Sequence, residues 1–305
     1  MKKVAIIGAG FVGLALAYQL LKTGQFDVTL FDKKGVGGGA SGIAIGLMHP
    51  YPGEQSRKSK MAEEGMQATL RLLKVAEERL GAPTFNADGL IRVAFDEEAA
   101  QNLSSYSDVE LLGAGRFFIK SGVSVFSKRY LEGLYLACQD LGVKLLIEDI
   151  QELPQGFDLV LIAAGAGSLA LSKELPLKKV KGQALVCKGK LPGKNIVGKG
   201  YVAKGEKEGE FFLGATYERG PLLDETPDVE AALKDLKGKF AQLLPGEAFP
   251  EVLECTAAFR VTHPKDYFPL MEKMDDKTWA ITAFGSRGLL YHALFAELFI
   301  SNALK

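Results

Sequence analysis

Three glycines and one acid near the start of the chain set out a chemistry for phosphate and ribose. Gly8, Gly10 and Gly13 stand in the spacing G-x-G-x-x-G, with Phe11 and Val12 inside it, and Asp32 closes the next apolar run. The first glycine permits a tight turn, the second lets a pyrophosphate approach the backbone, and the third lets helix and strand pack closely. The phosphates then meet the free N–H groups of a helix N-terminus. An acid about 20 residues further on accepts hydrogen bonds from a ribose hydroxyl, and Asp32 is read in that role.

The elements around these residues support the reading. Val4–Ile7 reads as a buried strand, Leu14–Leu21 as an apolar helix that Gly24 ends, and Phe26–Phe31 as the second strand. Lys2 and Lys3 before an apolar run also resemble a secretory signal. The glycine spacing, the second strand and the lack of a clear cleavage site argue against it. After Asp32 comes Lys33, Lys34 and a run of small residues through Ala40, Ser41 and Gly42. A loop with so little bulk can wrap a cofactor with backbone N–H groups.

Further along, Ser56–Leu80 reads as a long helix stopped by Gly81 and Pro83. Leu90–Phe95 reads as a strand, and Arg116–Phe126 holds one or two more. Ser127 is placed to cap a helix reaching about Leu141. Lys144–Ile147 and Phe157–Ala164 read as strands, the latter running into a glycine turn at Gly165 and Gly167. The stretch from Lys178 to Pro264 is strand-rich, with a helix near Pro227–Leu244. Trp279–Ala283 is a final strand, followed by Gly285-Ser286-Arg287-Gly288 and an apolar helix. The pattern predicts an α/β plus α+β protein: a discontinuous, Rossmann-like nucleotide domain with a strand-rich antiparallel second domain. The expected division gives residues 1–75, 127–177 and 270–305 to the first domain, and 76–126 and 178–269 to the second.

Composition narrows the class. The chain has 305 residues, 47% hydrophobic and 24% charged, enough for one large domain or two moderate ones. No apolar run reaches the roughly 18 residues of a membrane span. Cys138, Cys187 and Cys255 are widely spaced, which favours a reducing cytoplasm and argues against a disulfide framework or a zinc site. With only three histidines, His49, His263 and His292, a histidine-rich metal centre is not expected. No Ser-His-Asp or paired-carboxylate constellation is visible. Net charge is zero, yet ten lysines lie between Lys173 and Lys207, opposed only by Glu174 and Glu206. That segment is either a solvated set of strands and loops or a landing surface for a polyanion.

Four separated motifs then align in order. They are Gly8/Gly10/Gly13 with Asp32, the Gly39-Ala40-Ser41-Gly42 loop, the Ala164-Gly165-Ala166 turn and the turn from Gly285 to Gly288. Together they resemble the FAD-dependent oxidoreductases of the D-amino-acid oxidase superfamily. Within it, the chain most resembles the FAD oxidoreductase half of the bifunctional enzymes that make 5-methylaminomethyl-2-thiouridine in tRNA. The residues that carry this are Gly46-Leu47-Met48-His49-Pro50, Val180-Lys181-Gly182-Gln183, Gly214-Ala215-Thr216-Tyr217-Glu218-Arg219-Gly220, Phe259-Arg260 with Pro269, and Phe284-Gly285-Ser286-Arg287-Gly288-Leu289. The run Val261-Thr262-His263-Pro264-Lys265-Asp266 departs from the threonine–arginine–aspartate usual there.

The resemblance implies FAD as cofactor. It implies that Ala40, Ser41, Gly42, Ala164, Gly165 and Gly285–Leu289 approach the cofactor, with Gly285–Leu289 near the flavin ring. It implies Arg260 as the clamp on a substrate carboxylate, for which a planar guanidinium fork is suited; a structural salt bridge is the alternative. Arg287 and Arg219 are secondary candidates. Tyr51, Tyr217 and Tyr291 either line the pocket or simply pack, and His49 reads more readily as a structural histidine than as an acid–base group. The implied reaction oxidises a secondary amine bearing a carboxymethyl group, with 5-carboxymethylaminomethyl uridine at the tRNA wobble position as preferred substrate. The products are aminomethyl uridine and glyoxylate, and without a methyltransferase half the chain is expected to stop there. tRNA is then a partner for the lysine-rich segment 173–207. A free amino acid (glycine, sarcosine or a D-amino acid) serves the same fold and Arg260. A dinucleotide-binding protein without turnover is the third possibility.

Overall fold

The computed structural model describes residues 1–191, 193–265 and 267–303; positions 192, 266, 304 and 305 lie outside it, and with them Asp266 of the run quoted above. The chain opens as β1 (Lys2–Ile7), α1 (Phe11–Lys22) and β2 (Phe26–Asp32). β1 and β2 run parallel, with Ile6 beside Leu30. β9 (Lys144–Ile147), β10 (Leu159–Ile162), β16 (Leu270–Lys273) and β17 (Thr278–Thr282) complete a six-stranded sheet in the order β16-β17-β10-β1-β2-β9. Every neighbour in it is parallel except β16, which returns antiparallel on β17. Central parallel strands are covered on both faces and must be apolar almost throughout, as Val4–Ile7 and Leu159–Ile162 are.

One face of this sheet carries α1, α2 (Ala62–Leu80), α4 (Ser127–Asp140) and α7 (Gly288–Ala303). Leu14 and Leu20 from α1, Leu72 and Leu73 from α2, Leu134 from α4 and Phe295 from α7 share its core. The other face packs Ile7, Phe31 and Ile162 against Phe157 and Leu171, the last from the short α5 (Ser168–Leu171).

A second sheet has eight strands in the order β15-β11-β14-β13-β12-β5-β7-β6. They are β5 (Leu90–Val93), β6 (Val109–Gly113), β7 (Arg116–Ile119), β11 (Lys178–Lys188), β12 (Ile196–Val197), β13 (Tyr201–Lys204), β14 (Glu210–Gly214) and β15 (Val252–Thr262). α6 (Val229–Leu243) seals one face with Leu236, Phe240 and Leu243. The sheet was expected to be antiparallel, but β5 and β12 pair in parallel. They belong to two groups of strands separated by the helical layer in sequence. No hairpin joins them, so no turn imposes an antiparallel direction. β3 (Gly46–Met48), β4 (Phe85–Asn86) and β8 (Val123–Val125) form a small third sheet.

Three local expectations change. The long helix starts at Ala62 rather than Ser56, because Ser56 and Met61 both adopt left-handed backbone (φ 52° and 54°). Ser56 is fully buried and its Oγ accepts from Arg92 Nε at 3.2 Å, which ties this stretch to the second sheet instead of to a helix. Ser127 is not a cap: Phe126 holds that position, and the Ser127 hydroxyl finds no hydrogen-bond partner among the described residues. An unforeseen helix, α3 (Glu97–Ser104), begins where Asp96 accepts from the Ala99 N–H at 2.8 Å.

At the junction of α1, α4 and α7 lies His292, fully buried. Its Nδ1 is 3.0 Å from the Gly288 carbonyl oxygen and its Nε2 is 2.6 Å from the Tyr130 hydroxyl. A carbonyl can only accept, so Nδ1 carries the proton and Nε2 accepts from Tyr130. Burial pulls its pKa down from 6.5 to about 4. The unfolded chain therefore takes up this proton first, and the stability it represents is complete above pH 6.5 and drains away as pH falls towards 4. His292→Gln should flatten the stability-versus-pH slope between pH 4 and 6.5, measured by urea unfolding. An unchanged slope would show that His292 is not the group that titrates.

Candidate active site and cofactor cleft

The two sheets meet along a cleft that begins at the C-terminal ends of β1, β2 and β10. Ala9 N–H donates to Asp32 Oδ2 at 2.9 Å and Lys34 N–H to Asp32 Oδ1 at 2.8 Å, so the acid that ends β2 holds the glycine turn that ends β1. A carboxylate offers about four acceptor positions, so Asp32 keeps capacity for hydroxyl donors. A β-carbon on Gly13 would lie 1.8 Å from the Gly8 carbonyl oxygen, and one on Gly8 would lie 2.3 Å from that of Ala163. Only bare backbone lets β1, α1 and β10 come this close. Ser41 Oγ accepts from Phe11 N–H at 3.1 Å and draws the small-residue loop onto the start of α1.

The tail of the chain arrives at the same place. The Gly285 N–H donates to the Val261 carbonyl oxygen at 2.8 Å, which pins the turn before α7 to β15. Gly288, the first residue of α7, faces Phe11, the first residue of α1; a β-carbon there would sit 3.8 Å from that ring. Two helix N-termini, each with partial positive charge, thus open into one cleft.

The cavity here is about 580 Å³, within the usual range of roughly 300–1,000 Å³ for small-molecule sites. Its walls include Gly8, Gly10, Phe11, Val12, Asp32, Lys33, Ala40, Ser41, Ala164, Gly165 and Gly285 through Leu289, together with His49, Tyr217 and Arg260. Gly13 and Gly42 stand behind the wall as packing glycines. Tyr51 does not line the cavity; it is buried against Tyr106, with ring centroids 4.1 Å apart, and its hydroxyl is bonded to Asp108. β3 ends at Met48, and the chain turns just after it, with the Tyr51 N–H donating to His49 Nδ1 at 3.3 Å, so the two side chains do not share a strand face. Tyr291 is likewise buried, donating to the Lys60 carbonyl at 2.7 Å.

Arg260 sits near the end of β15, across from β11. Its Nη2 donates to the Thr216 carbonyl at 3.1 Å, its Nε is enclosed with no acceptor among the described residues, and burial lowers its pKa. No carboxylate pairs with it among the described residues, so the salt-bridge alternative is not what the structure contains. A buried guanidinium without a counter-ion is costly, which suits it to an incoming anion. Gly182 makes the space: a β-carbon there would be 2.7 Å from Arg260 Nη2 and 3.0 Å from Cζ. The loop beneath is fixed by paired bonds between Thr216 and Gln183, Gln183 N–H to Thr216 Oγ1 at 2.9 Å and Thr216 N–H to the Gln183 carbonyl at 3.0 Å.

Sequence reasoning missed two residues here. Arg92, 3% exposed, lines the cavity with no carboxylate partner among the described residues. It donates from Nη2 to the Gly53 carbonyl at 2.5 Å, and burial pulls its pKa down to about 10. Its signal was the alternation Leu90-Ile91-Arg92-Val93, which puts a charge on the same face as the buried Leu90. Tyr201 also lines the cavity, beside Arg260, and burial raises its pKa. His49 is buried next to Arg92; burial, then the neighbouring charge, take its pKa down to about 3. It stays neutral at ordinary pH, as a structural histidine should.

The lysine-rich segment is less free than its count implies. Lys181 is buried and donates to the Thr226 carbonyl at 2.6 Å, Lys188 pairs with Glu251 and Lys194 with Asp88, both at 3.1 Å. Lys199 turns into the cavity wall. Among the described residues there is no cluster of metal-ligating side chains and no helix long and apolar enough to cross a membrane. The three cysteines are free, Cys138 and Cys187 buried and Cys255 partly so.

With this geometry in view, comparison with known proteins gives one consistent picture. The family model described as FAD dependent oxidoreductase matches residues 3–301. A tRNA 5-methylaminomethyl-2-thiouridine biosynthesis bifunctional protein MnmC, from Maricaulis maris (strain MCS10), is 27% identical over 310 residues, 96% of this chain and 50% of that protein. The chain thus spans about half the length of the curated relatives it matches. Among solved structures, glycine oxidase from Geobacillus kaustophilus superposes with a TM-score of 0.82 at 21% identity, covering 99% of this chain and 94% of that one. L-proline dehydrogenase from P.horikoshii gives 0.82 at 18%, covering 98% and 93%. These likenesses, below a quarter identical, show the fold.

The residues present suit FAD. The cleft is long, bare backbone lines one end, two helix N-termini face it and an acid closes β2. Because Gly182 leaves the room that Arg260 fills, Gly182→Ala should displace the guanidinium. It should raise KM for a carboxylate substrate about tenfold or more while bound FAD, read by its visible absorbance, is retained. Unchanged KM would mean that the anion is held elsewhere.

Proposed function

The chain belongs to the family of FAD dependent oxidoreductases, and on that footing we propose that it oxidises the C–N bond of a carboxymethylamino group, most specifically on 5-carboxymethylaminomethyl uridine at the tRNA wobble position. It is an FAD-dependent oxidoreductase of the D-amino-acid oxidase type. The observation that carries the substrate class is Arg260, a half-buried guanidinium on the cavity wall without a carboxylate partner among the described residues. The likeness to the tRNA-modifying relative, over nearly the whole of this chain, supports the larger substrate.

The division of labour follows the two sheets. Residues 1–75, 127–177 and 270–305 are proposed as the FAD-binding domain, and residues 76–126 and 178–269 as the substrate domain. Gly8, Gly10, Phe11 and Val12 are assigned to the pyrophosphate with Gly13 packed behind them, Asp32 and Lys33 to the ribose end, and Ala40, Ser41, Ala164 and Gly165 to the middle of the cofactor with Gly42 packed behind the loop. Gly285–Leu289 are assigned to the flavin ring, where a helix N-terminus favours negative charge. FAD, when bound, supplies the acceptor for the two electrons that leave the carbon between the amine and the carboxylate, and water then completes the change to aminomethyl uridine and glyoxylate.

The protein's part is placement and electrostatics. Arg260 holds the carboxylate through its fork, and Tyr201 stands beside it; together they fix the neighbouring carbon. Arg287 brings a further positive charge to the same cavity. His49 takes no proton in the working range, since its neutral form persists down to about pH 3. A side-chain base is not required if the amine arrives neutral. Positioning of this kind is worth roughly 7–11 kcal/mol in ideal cases.

Anaerobic mixing with three candidates tests the reading: tRNA carrying the modified uridine, glycine and sarcosine. Bleaching of the flavin by the tRNA alone is the expected result, with tRNA binding that weakens steeply as salt rises. Bleaching by glycine or sarcosine alone, without tRNA binding, would establish the free amino acid as substrate instead. Arg260→Ala should abolish bleaching, or raise KM at least a hundredfold, with the flavin still bound. Wild-type kinetics in that variant would remove the clamp.

A further inference from the structure

Two tyrosine rings lie open to solvent beside the cavity mouth. Tyr217 is 53% exposed and Tyr267 is 43% exposed, both large aromatic surfaces that a folded protein has reason to hide. They are joined through one guanidinium. Arg219 Nη2 donates to the Tyr217 hydroxyl at 2.7 Å and to the Tyr267 hydroxyl at 3.3 Å, and its Cζ is 5.0 Å from the Tyr217 ring centroid.

The rings are held, not loose. Thr216 and Glu218, on either side of Tyr217, are both bonded to β11: Thr216 N–H to the Gln183 carbonyl, and Glu218 and Lys181 to each other's carbonyls, all at 3.0 Å. The Tyr267 carbonyl accepts from Arg287 Nη1 at 3.4 Å, which connects it to the cavity wall. Tyr217 itself lines the cavity, and the Arg260 guanidinium lies 5.9 Å from its ring centroid. The same ring thus lies near the anion anchor and the Arg219 guanidinium while about half of its surface stays open to solvent. Lys178 is near enough to help lower the Tyr267 hydroxyl pKa, after the larger contribution of Arg219.

A free amino acid bound at Arg260 would lie inside the cavity and need none of this exterior. Exposed aromatic faces with flanking guanidinium and ammonium groups are what single-stranded RNA uses: bases stack on rings and phosphates meet cations. We propose that Tyr217 and Tyr267, linked by Arg219, form the stacking platform for the nucleobase of an RNA substrate whose modified side group reaches Arg260. This deepens the tRNA reading above and rests on it. The platform makes Tyr217 and Tyr267 specificity-determining residues, selecting a flat base outside the cavity as Arg260 selects a carboxylate inside it.

The test is equilibrium binding of two fluorescently labelled anticodon stem-loop RNAs to the FAD-loaded enzyme, followed by anisotropy. One carries 5-carboxymethylaminomethyl uridine at the wobble position and the other is abasic there. The wild type should bind the first more tightly. Tyr217→Ala and Tyr267→Ala should each weaken it by roughly 5- to 150-fold, the range expected for one base stacked on an aromatic ring, and leave the abasic RNA within about twofold. Tyr217→Phe keeps the ring and should restore binding to within about threefold of wild type. Thermal unfolding of each variant reports whether it is folded. Equal losses for both RNAs, no loss for either, or failure of Phe to restore binding would overturn the platform. A wild type that oxidises the wobble uridine while the Ala variants bind it normally overturns the platform alone. A wild type that neither binds nor oxidises the stem-loop overturns the tRNA reading and the platform with it.

Discussion

Close approach of bare backbone is the constraint on which this structure depends. The carbonyl oxygen of Gly8 occupies the place a Gly13 side chain would need, and that of Ala163 the place a Gly8 side chain would need. These contacts draw β1, α1 and β10 together at one end of the six-stranded sheet. There the Asp32 carboxylate ties the end of β2 to the glycine turn. The same compact end receives α7 from the far end of the sequence, with Gly288 against Phe11. A single methyl group in the glycine turn would separate elements that every later feature of the cleft relies on.

Charge without a counter-charge is the second theme. Arg92 is buried and Arg260 has an enclosed Nε, yet neither has a carboxylate partner among the described residues. Burial alone lowers the pKa of Arg92, and at Arg260 it outweighs Tyr201 and Tyr217, which raise it. The cost of such burial is offset in part by hydrogen bonds to the Gly53 and Thr216 carbonyls. The remaining cation capacity faces the cavity. A pocket built this way favours an anion over a neutral molecule of the same shape before any finer recognition begins.

Much of this was legible in the sequence because it is local. The G-x-G-x-x-G turn, the strand pair around it and the apolar α7 depend on short-range spacing and period, and they fold as that spacing requires. Arg260 and the turn at Gly285 were legible through motif resemblance rather than through pattern. What escaped has a common cause in long-range contact. Ser56 left the helical path because its hydroxyl meets Arg92 on another sheet, and the parallel joining of β5 and β12 follows from which strands happen to be neighbours in space. The lysine count also could not show that Lys181, Lys188 and Lys194 have partners remote in sequence.

The hydrogen bond from the Gly285 N–H to the Val261 carbonyl joins the residue next to Arg260 directly to the turn before α7. The strand that carries Arg260 and the turn that leads into α7 are therefore one mechanical piece. Sliding β15 to accommodate a longer or shorter compound would drag that turn with it. Divergence towards new compounds is then less constrained around Arg92, which lines the cavity from β5 rather than from β15. An engineer seeking altered selectivity has reason to leave β15 untouched and to build the library there.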